Sequence, residues 1–575
     1  MAKKFLAIFA AIAMLFALTP SAQAAGSLTQ TNKVSFEGYA DDIKLVQVTP
    51  KLKVALWTKS IDSSFLYESA IVSADGVLGM PTQIGQSGTQ SMNSRFEYTV
   101  SSTGLLAVVY NYVTDLGNGN YGSVLRVVYS YDGTNWSAPV QPLPQVTFSF
   151  CDFFEATCGY QVQKVVFDHL DHLVLLASYG DIFVPVNLYA TTSNDGVVWS
   201  SPTTLQTDES TQEWSTNFGH NSCVQLVATA STTMASWCVS NGADNTLEFW
   251  SARIPDPAHP FWLAPVRDYS SAPGTYFYGQ KMFATSKGDI VETLWEPAGG
   301  HQVLGYMTWS KSTATWSGPI AVYTSAKDYV TYYGFSEPNG NLIAQDWVEF
   351  SGGIDDVIKT VVYKDGVPGV VSTMRAVAGD GSSNDGISSA SVAADSTVSL
   401  TFWNSSLRKA FLLEQIPGGA TTTTELPTDL SYNYGTRISQ DSLGNLTILG
   451  YWVPDTGSGY DLVVYQKNRA TKPAATAGLK ISGMAKVKGK LSSTTVSFSS
   501  ISGASAAASQ WYSCTKQVKK SPLVLPKTCK AIKGASKAKY VVTKADVKKF
   551  ILVSLSSTNG VGKTTVFSPS TAAVK

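Results

Sequence analysis

The sequence predicts an all-β fold: a β-propeller of four-stranded blades, with eight blades favoured over seven, and a smaller β-domain after it. Three observations predict it. First, an aromatic residue keeps returning. Trp57, Tyr110, Tyr179, Trp237, Trp295, Trp347, Trp403 and Trp452 each close a short apolar run that follows a turn, as in Asn341-Leu-Ile-Ala-Gln-Asp-Trp347. Self-similarity at such a period marks a radial or stacked repeat. Second, S-x-D-G-x-x-W occurs intact twice, as Ser130-Tyr-Asp132-Gly133-Thr-Asn-Trp136 and Ser193-Asn-Asp195-Gly196-Val-Val-Trp199. Third, no stretch between Ala25 and Ala470 sustains a helical period, whereas short apolar runs alternate with Gly/Ser/Asn/Asp turns.

Residues 1–24 read as a signal peptide. Lys3 and Lys4 precede the apolar run Phe5 to Leu18, and Ala22-Gln-Ala24 is a small-residue cleavage pattern. The run is too short to span a bilayer and no later one is longer, so an exported chain with no membrane span is expected, secreted or held at the cell surface.

Residues 25–470 carry the blades. In repeat five, Lys281–Ala284, Asp289–Trp295, Gln302–Trp309 and Gly318–Tyr323 read as four successive strands. The last repeat stops after its third strand, Tyr460 to Gln466. The segment Thr31-Asn-Lys-Val-Ser-Phe-Glu37, ahead of the first full repeat, is the expected fourth strand, because joining the two ends removes exposed sheet edges.

The S-x-D-G-x-x-W motif is a turn device. Asp accepts hydrogen bonds from turn N–H groups, Gly takes a positive φ, and Trp covers the hairpin with apolar area. Eroded copies occur at Ser73-Ala-Asp75-Gly76, Ser310 to Trp316 and Tyr363-Lys-Asp365-Gly366. The motif resembles the Asp-box, or BNR repeat, of the sialidase superfamily of propellers. The resemblance implies a structural role for Ser130, Asp132, Gly133, Trp136, Ser193, Asp195, Gly196 and Trp199, away from any catalytic face.

Residues 471–479 read as a Pro/Ala/Thr linker and 480–575 as a separate basic domain. Ile481-Ser-Gly-Met-Ala-Lys-Val-Lys-Gly-Lys490, Gln510-Trp-Tyr-Ser-Cys514 and Tyr540-Val-Val-Thr-Lys-Ala-Asp546-Val-Lys-Lys-Phe550 resemble the small Ig-like domains appended to exported actinobacterial proteins. The resemblance implies a β-sandwich with Trp511 in its core. Lys548 stands where that pattern has Gly.

Net charge is zero by cancellation. From Thr471 onward there are 18 lysines, no arginine and one acid, Asp546, a net +17; the preceding residues carry −17. Such asymmetry points to different partners for the two parts, an anionic polymer or surface for the basic one. The lack of arginine argues against bidentate recognition of phosphates or bases, and so against nucleic acid.

Six cysteines fall into close pairs, Cys151 with Cys158, Cys223 with Cys238, and Cys514 with Cys529, as expected of disulfides in an exported chain. No CxxC or third ligand accompanies them, and His169 and His172 fall in a turn. Asp380-Gly-Ser-Ser-Asn384-Asp385 has the oxygen-rich composition calcium prefers but not EF-hand spacing. The cysteines and histidines therefore do not read as a zinc site; no cofactor is expected, and calcium is the one candidate metal.

The superfamily resemblance brings a glycosidase hypothesis: an arginine triad, a tyrosine nucleophile with a glutamate partner, and an acid/base aspartate. The chain has eight arginines. Arg95 and Arg437 begin inner strands and are the candidates for the central channel; Ala252-Arg-Ile-Pro255 sits in the wrong repeat for the family signature. Trp214 is the one tryptophan without a blade or core assignment, and a loop indole stacks well on a sugar face. The expected function is binding of extracellular glycan or anionic cell-envelope polymer in adhesion or surface attachment. The alternatives are a sialidase-like glycoside hydrolase with a non-standard site, and a purely structural surface protein. Oligomeric state is not encoded in these patterns.

Overall fold

The computed structural model describes residues 27–575 except 38–39, 62–63, 89–94, 149–158, 182–183, 208–222, 242–245, 276–277, 328, 351–354, 379–385, 405–406, 417–418, 428–431 and 454–458. The chain divides into two compact units. One is Gln30–Asp441 with Thr447–Tyr465; the other is essentially Gln466–Lys575, with the short segments ending at Thr29 and Ser442–Leu446.

The first unit is a propeller. Among the described residues eight antiparallel sheets follow one another along the chain; six have four strands and two, the fifth and sixth, have five, all in sequence order except in the last. Their first strands are Ala40–Thr49, Phe96–Val100, Gly159–Phe167, Gln225–Ala228, Tyr278–Ala284, Tyr329–Phe335, Gly386–Val392 and Tyr432–Gln440, in blades 1 to 8. From blade 2 round to blade 8, and from blade 8 on to blade 1, each first strand lies against the next. The first strands therefore line the axis and the ring is closed.

Each second strand is covered on both faces, because neighbouring blades stack against both sides of the sheet. Its sequence is accordingly a continuous apolar run and not an alternation. In Leu52–Ile61 the stretch Val54 to Thr58 is buried throughout, and Leu106 to Asn111 in Leu106–Gly117 likewise. All eight recurring aromatics lie on second strands. Trp57, Trp237, Trp295, Trp347 and Trp452 are at most 1% exposed. Each fills the wedge between two blades. Trp295 and Trp347 meet edge to face at 5.3 Å across the blade 5–6 interface, a favoured aromatic geometry. Three of these indoles donate to a side-chain acceptor, Trp57 to Glu68 at 2.8 Å, Trp237 to Gln206 at 3.2 Å and Trp347 to Glu349 at 3.0 Å, whereas those of Trp295 and Trp452 have no partner among the described residues.

The last blade closes with a strand from the other end of the chain. Its order is Leu28–Phe36, Tyr460–Lys467, Leu446–Val453, Tyr432–Gln440. Lys33 Nζ pairs with the buried Asp461 carboxylate at 3.0 Å, and Thr31 Oγ1 donates to the Val464 carbonyl at 3.1 Å. Phe36 stacks on Tyr460 at 5.2 Å.

The second unit is a β-sandwich. One sheet holds Ile481–Gly483, Lys490–Ser493 and Lys539–Val541; the other holds Cys529–Ala531, Ala508–Cys514, Phe550–Asn559 and Gly562–Phe567. Between them lies a core of Trp511, Leu491, Tyr540, Ile551 and Val553, with the Trp511 indole fully buried. Two stretches expected in the linker belong to this unit. Ala474–Ala475 pairs with Phe498–Ser499, and Leu479 is in the core. Lys548 has φ 66°, so it occupies a left-handed conformation that glycine adopts without cost.

Candidate functional site on the propeller axis

Residues on the axis come from the first strands, and β-bulges decide where they aim. The register of the first strand against the second slips between Asp41 and Lys44, Val162 and Lys164, Tyr278 and Lys281, Thr331 and Gly334, and Ile387 and Ser389. A bulge bends its strand and redirects the side chains on either side of it. Five blades share this feature near the same height.

Three of these bulges carry charged side chains, Asp42 and Lys44 in blade 1, Lys164 in blade 3 and Lys281 in blade 5, and the first strands of blades 2 and 8 add Glu97, Tyr98 and Arg437. Asp42, at φ 44°, accepts a hydrogen bond from the Phe96 backbone N–H at 3.3 Å and pairs with Lys44 at 2.5 Å. Glu97 of blade 2 pairs with Lys164 of blade 3 at 3.1 Å. Arg437 of blade 8 donates to the Thr436 carbonyl at 2.9 Å and the Ser388 carbonyl of blade 7 at 3.3 Å. Tyr98 and Lys281 sit among these groups. Burial, then the nearby Glu337 and Glu97, push the Tyr98 phenol well above its ordinary range, with Arg437 opposing. Burial lowers the Lys281 ammonium, and Glu337 opposes that loss. Burial also lowers the Arg437 guanidinium, with Asp42 acting against it. Asp42, Glu97, Tyr98, Lys164, Lys281, Glu337 and Arg437 thus form one mixed-charge group drawn from blades 1, 2, 3, 5, 6 and 8. In chemical terms it offers donors and acceptors of both signs around a phenol, suited to a hydroxyl-rich ligand.

The expected site residues fall in several places. Arg437 is in this group, although it lies inside its strand, Tyr432–Gln440, and not at its start. Arg95 precedes Phe96–Val100 and is exposed. Of the other arginines, Arg126 covers the Tyr112 ring at 3.3 Å, Arg253 lies over Trp309, Arg267 pairs with Glu248, and Arg375 lies over Phe402. These four lie on third or fourth strands, so no arginine triad forms on the axis. Trp214, Cys151, Cys158 and the Asp380–Asp385 stretch lie outside the described residues. Among the described residues no cluster of metal-ligating side chains occurs. His172 contacts Asp168, whose carboxylate accepts the Leu170 and His172 backbone N–H groups in the turn.

Disulfides join Cys223 to Cys238 and Cys514 to Cys529. The second pair lies directly opposite across two antiparallel strands.

The two intact S-x-D-G-x-x-W turns have matching geometry. Asp132 Oδ1 accepts the Thr134 and Asn135 N–H groups at 2.9 and 2.8 Å, and Asp195 Oδ1 accepts those of Val197 and Val198, both at 2.8 Å. Ser130 and Ser193 hydroxyls accept the Gly133 and Gly196 N–H groups. These bonds hold the Asp132 and Asp195 carboxyls below their ordinary range. Both glycines have φ above 70°.

Sequence reasoning missed Asp42, Glu97, Tyr98, Lys164, Lys281 and Glu337. Asp42, Glu97, Tyr98, Lys164 and Lys281 lie on first strands and Glu337 just after one, and these placements become informative only once the strands are known to surround an axis.

No protein-family model matches the chain, and no curated protein sequence matches it. Among solved structures, an ulvan lyase bound to -[GlcA(1-4)Rha3S]- is similar at 10% identity over 69% of this chain and 96% of that one, with a TM-score of 0.39. An α-L-arabinofuranosidase from Fusarium graminearum with an iminosugar inhibitor is 12% identical over 53% of this chain and 91% of that one, TM-score 0.31. The sialidase of Trypanosoma rangeli in complex with the inhibitor DANA is 9% identical over 73% and 86%, TM-score 0.30. These likenesses are too distant to carry an activity over to this chain.

Proposed function

We propose that the protein is exported and binds an extracellular glycan on the axis of its propeller, while the basic C-terminal domain attaches it to an anionic cell-envelope polymer. The mixed-charge group around Tyr98 supports the first part. Sugars present hydroxyls that both donate and accept, and a half-buried group with both kinds of partner rewards them. The net +17 of residues 471–575 supports the second. Two disulfides support an oxidising compartment.

The test is a glycan array on the mature protein, followed by affinity measurement on a retained saccharide. Tyr98→Phe removes one hydroxyl and nothing else. The expected loss is about tenfold, the value of one net hydrogen bond to a charged or polar partner. Unchanged binding by Tyr98→Phe and Lys164→Gln would remove the axis from the proposal.

A second reading has its own observation. A tyrosine beside Glu97, with Asp42 and Arg437 near, contains the residue types of a glycosidase that uses a tyrosine nucleophile. It predicts steady release of reducing ends from a saccharide panel, abolished by Tyr98→Phe. Binding without turnover rejects it.

A further inference from the structure

The C-terminal domain carries a cleft of about 470 Å³ whose lining includes Lys533, Lys537, Lys539 and Lys549. That volume is in the range of ligand sites, roughly 300–1,000 Å³. Three of the four lysines are exposed and Lys549 is half-buried. Among the described residues none of the four forms an ion pair with a carboxylate. The single acid of the domain, Asp546, is also in the cleft wall, but it is turned to structural use. Its Oδ2 accepts the Tyr540 hydroxyl at 2.6 Å, the Thr543 backbone N–H at 2.8 Å and the Thr543 hydroxyl at 2.8 Å. It is 4% exposed. The one negative group is held in place by neutral donors, and four ammonium groups against one carboxylate leave the cleft with an excess of positive charge.

The scaffold around the cleft is rigid. Trp511 stacks on Tyr540 at 5.7 Å, and its indole donates to the Lys537 carbonyl at 2.8 Å. The Trp511 backbone N–H donates to the Ala535 carbonyl. The loop bearing Lys533 and Lys537 is thus pinned to the sandwich core. Lys539 lies on a strand whose middle residue, Tyr540, is buried.

We infer that this lysine-lined cleft is the address at which the basic domain grips an anionic cell-envelope chain, a polysaccharide or polyol phosphate bearing repeated sulfate, phosphate or carboxylate groups. The inference rests on the proposal that this domain is the attachment module, and it names the site. A lysine ammonium is a mobile point charge and reads charge spacing without demanding planar geometry. The other 14 lysines of the domain collect the polymer by their long-range field. The cleft supplies the fixed contacts. An acidic glycan or polyol phosphate fits this better than duplex nucleic acid, for which arginine forks are the usual readers.

The experiment uses the full mature protein at 50 mM salt with four immobilised probes: dextran sulfate, a glycerol phosphate polymer, polygalacturonate and duplex DNA. One variant carries Lys→Gln at 533, 537, 539 and 549. The control carries Lys→Gln at the exposed positions 486, 516, 519 and 563, which removes the same charge elsewhere on the domain. Thermal unfolding of both checks that the sandwich is intact, and the single change Lys537→Gln serves if the fourfold variant unfolds. The expected result is a loss of about tenfold or more for the cleft variant and a clearly smaller loss for the control. The three glycan-type probes distinguish sulfate, phosphate and carboxylate as the anion. Equal losses from both variants overturn the cleft but leave attachment by diffuse charge standing. Tighter retention on DNA than on any of the other probes overturns the ligand class. No retention of the unmodified protein on any probe overturns the attachment proposal itself.

Discussion

At the scale of single residues, burial and charge decide most of what is unusual here. Asp346 is fully buried on the second strand of blade 6, and neither carboxylate oxygen has a hydrogen-bond partner among the described residues. Burial alone pushes its carboxyl up from an ordinary 3.8 to about 7. The folded chain therefore holds a proton that the unfolded chain releases. Stability from this group is greatest below about pH 4, falls as pH rises to about 7, and is flat above that. The full span is about 4 kcal/mol at 1.36 kcal/mol per pH unit. Asp346→Asn is expected to flatten this part of the stability–pH curve, measured by denaturant unfolding from pH 4 to 8. A variant with the same slope as the unmodified protein would rule out Asp346 as its source. The sequence places Asp346 in the run that closes on Trp347, but not that this position is enclosed on both faces.

At the scale of elements, the Asp-Gly turns of blades 1, 2 and 3 each tie their blade to the one before it. The Ser69 hydroxyl of blade 1 donates to the Gly133 carbonyl of the blade 2 box at 2.8 Å, and the Trp136 indole donates back to Ser69 Oγ at 3.0 Å. Tyr129 of blade 2 donates to the Gly196 carbonyl of the blade 3 box at 2.7 Å. Thr31 of the closing strand does the same to Gly76 of the eroded blade 1 box at 2.9 Å. In each case a hydroxyl of the preceding blade binds the carbonyl of a left-handed glycine. A Cβ at Gly133 would come within 2.5 Å of the Val54 side chain, so the glycine is also required by close approach. The motif explained the turn; that it is also an interblade clasp was not visible, because the donors lie on other repeats and share no residue type. A double-mutant cycle with Ser69→Ala and Trp136→Phe is expected to give a coupling of about 0.5–1.5 kcal/mol in thermal or urea unfolding. Ser69→Ala alone should be the costlier change, since it leaves a part-buried indole N–H and a buried carbonyl without their Ser69 partner. Strict additivity would contradict the clasp.

At the scale of the whole propeller, the ring depends on its closing strand. Leu28–Phe36 completes blade 8, and without it the edge of Tyr460–Lys467 is unpaired and the buried Asp461 loses Lys33. Removing residues 27–36 is expected to cost at least about 3 kcal/mol, from lost ladder hydrogen bonds, the partly buried Phe36 ring and a carboxylate left without its cation. The urea transition should also broaden, as blades at the opening separate independently. Adding the peptide 27–37 in trans should restore part of the midpoint. A truncated chain with an unchanged midpoint and slope would mean the ring is held by blade stacking alone.

The sequence by itself determined the repeat, the four-strand blades, the second-strand aromatics, the closing segment and the Trp511 core. Each is written in local patterns: apolar runs buried on two faces, turn residues with special φ, and an aromatic at a fixed place in every hairpin. Only the tertiary structure decided the axis group, the clasp donors and the lysine cleft. Asp42, Glu97, Lys164 and Arg437 are scattered over almost four hundred residues, and their common property is radial position in a closed ring. Single-chain patterning records which face of its own strand a residue occupies. It carries no record of which other strands share that face, because that depends on ring closure, on bulges that redirect side chains, and on the stacking of whole sheets.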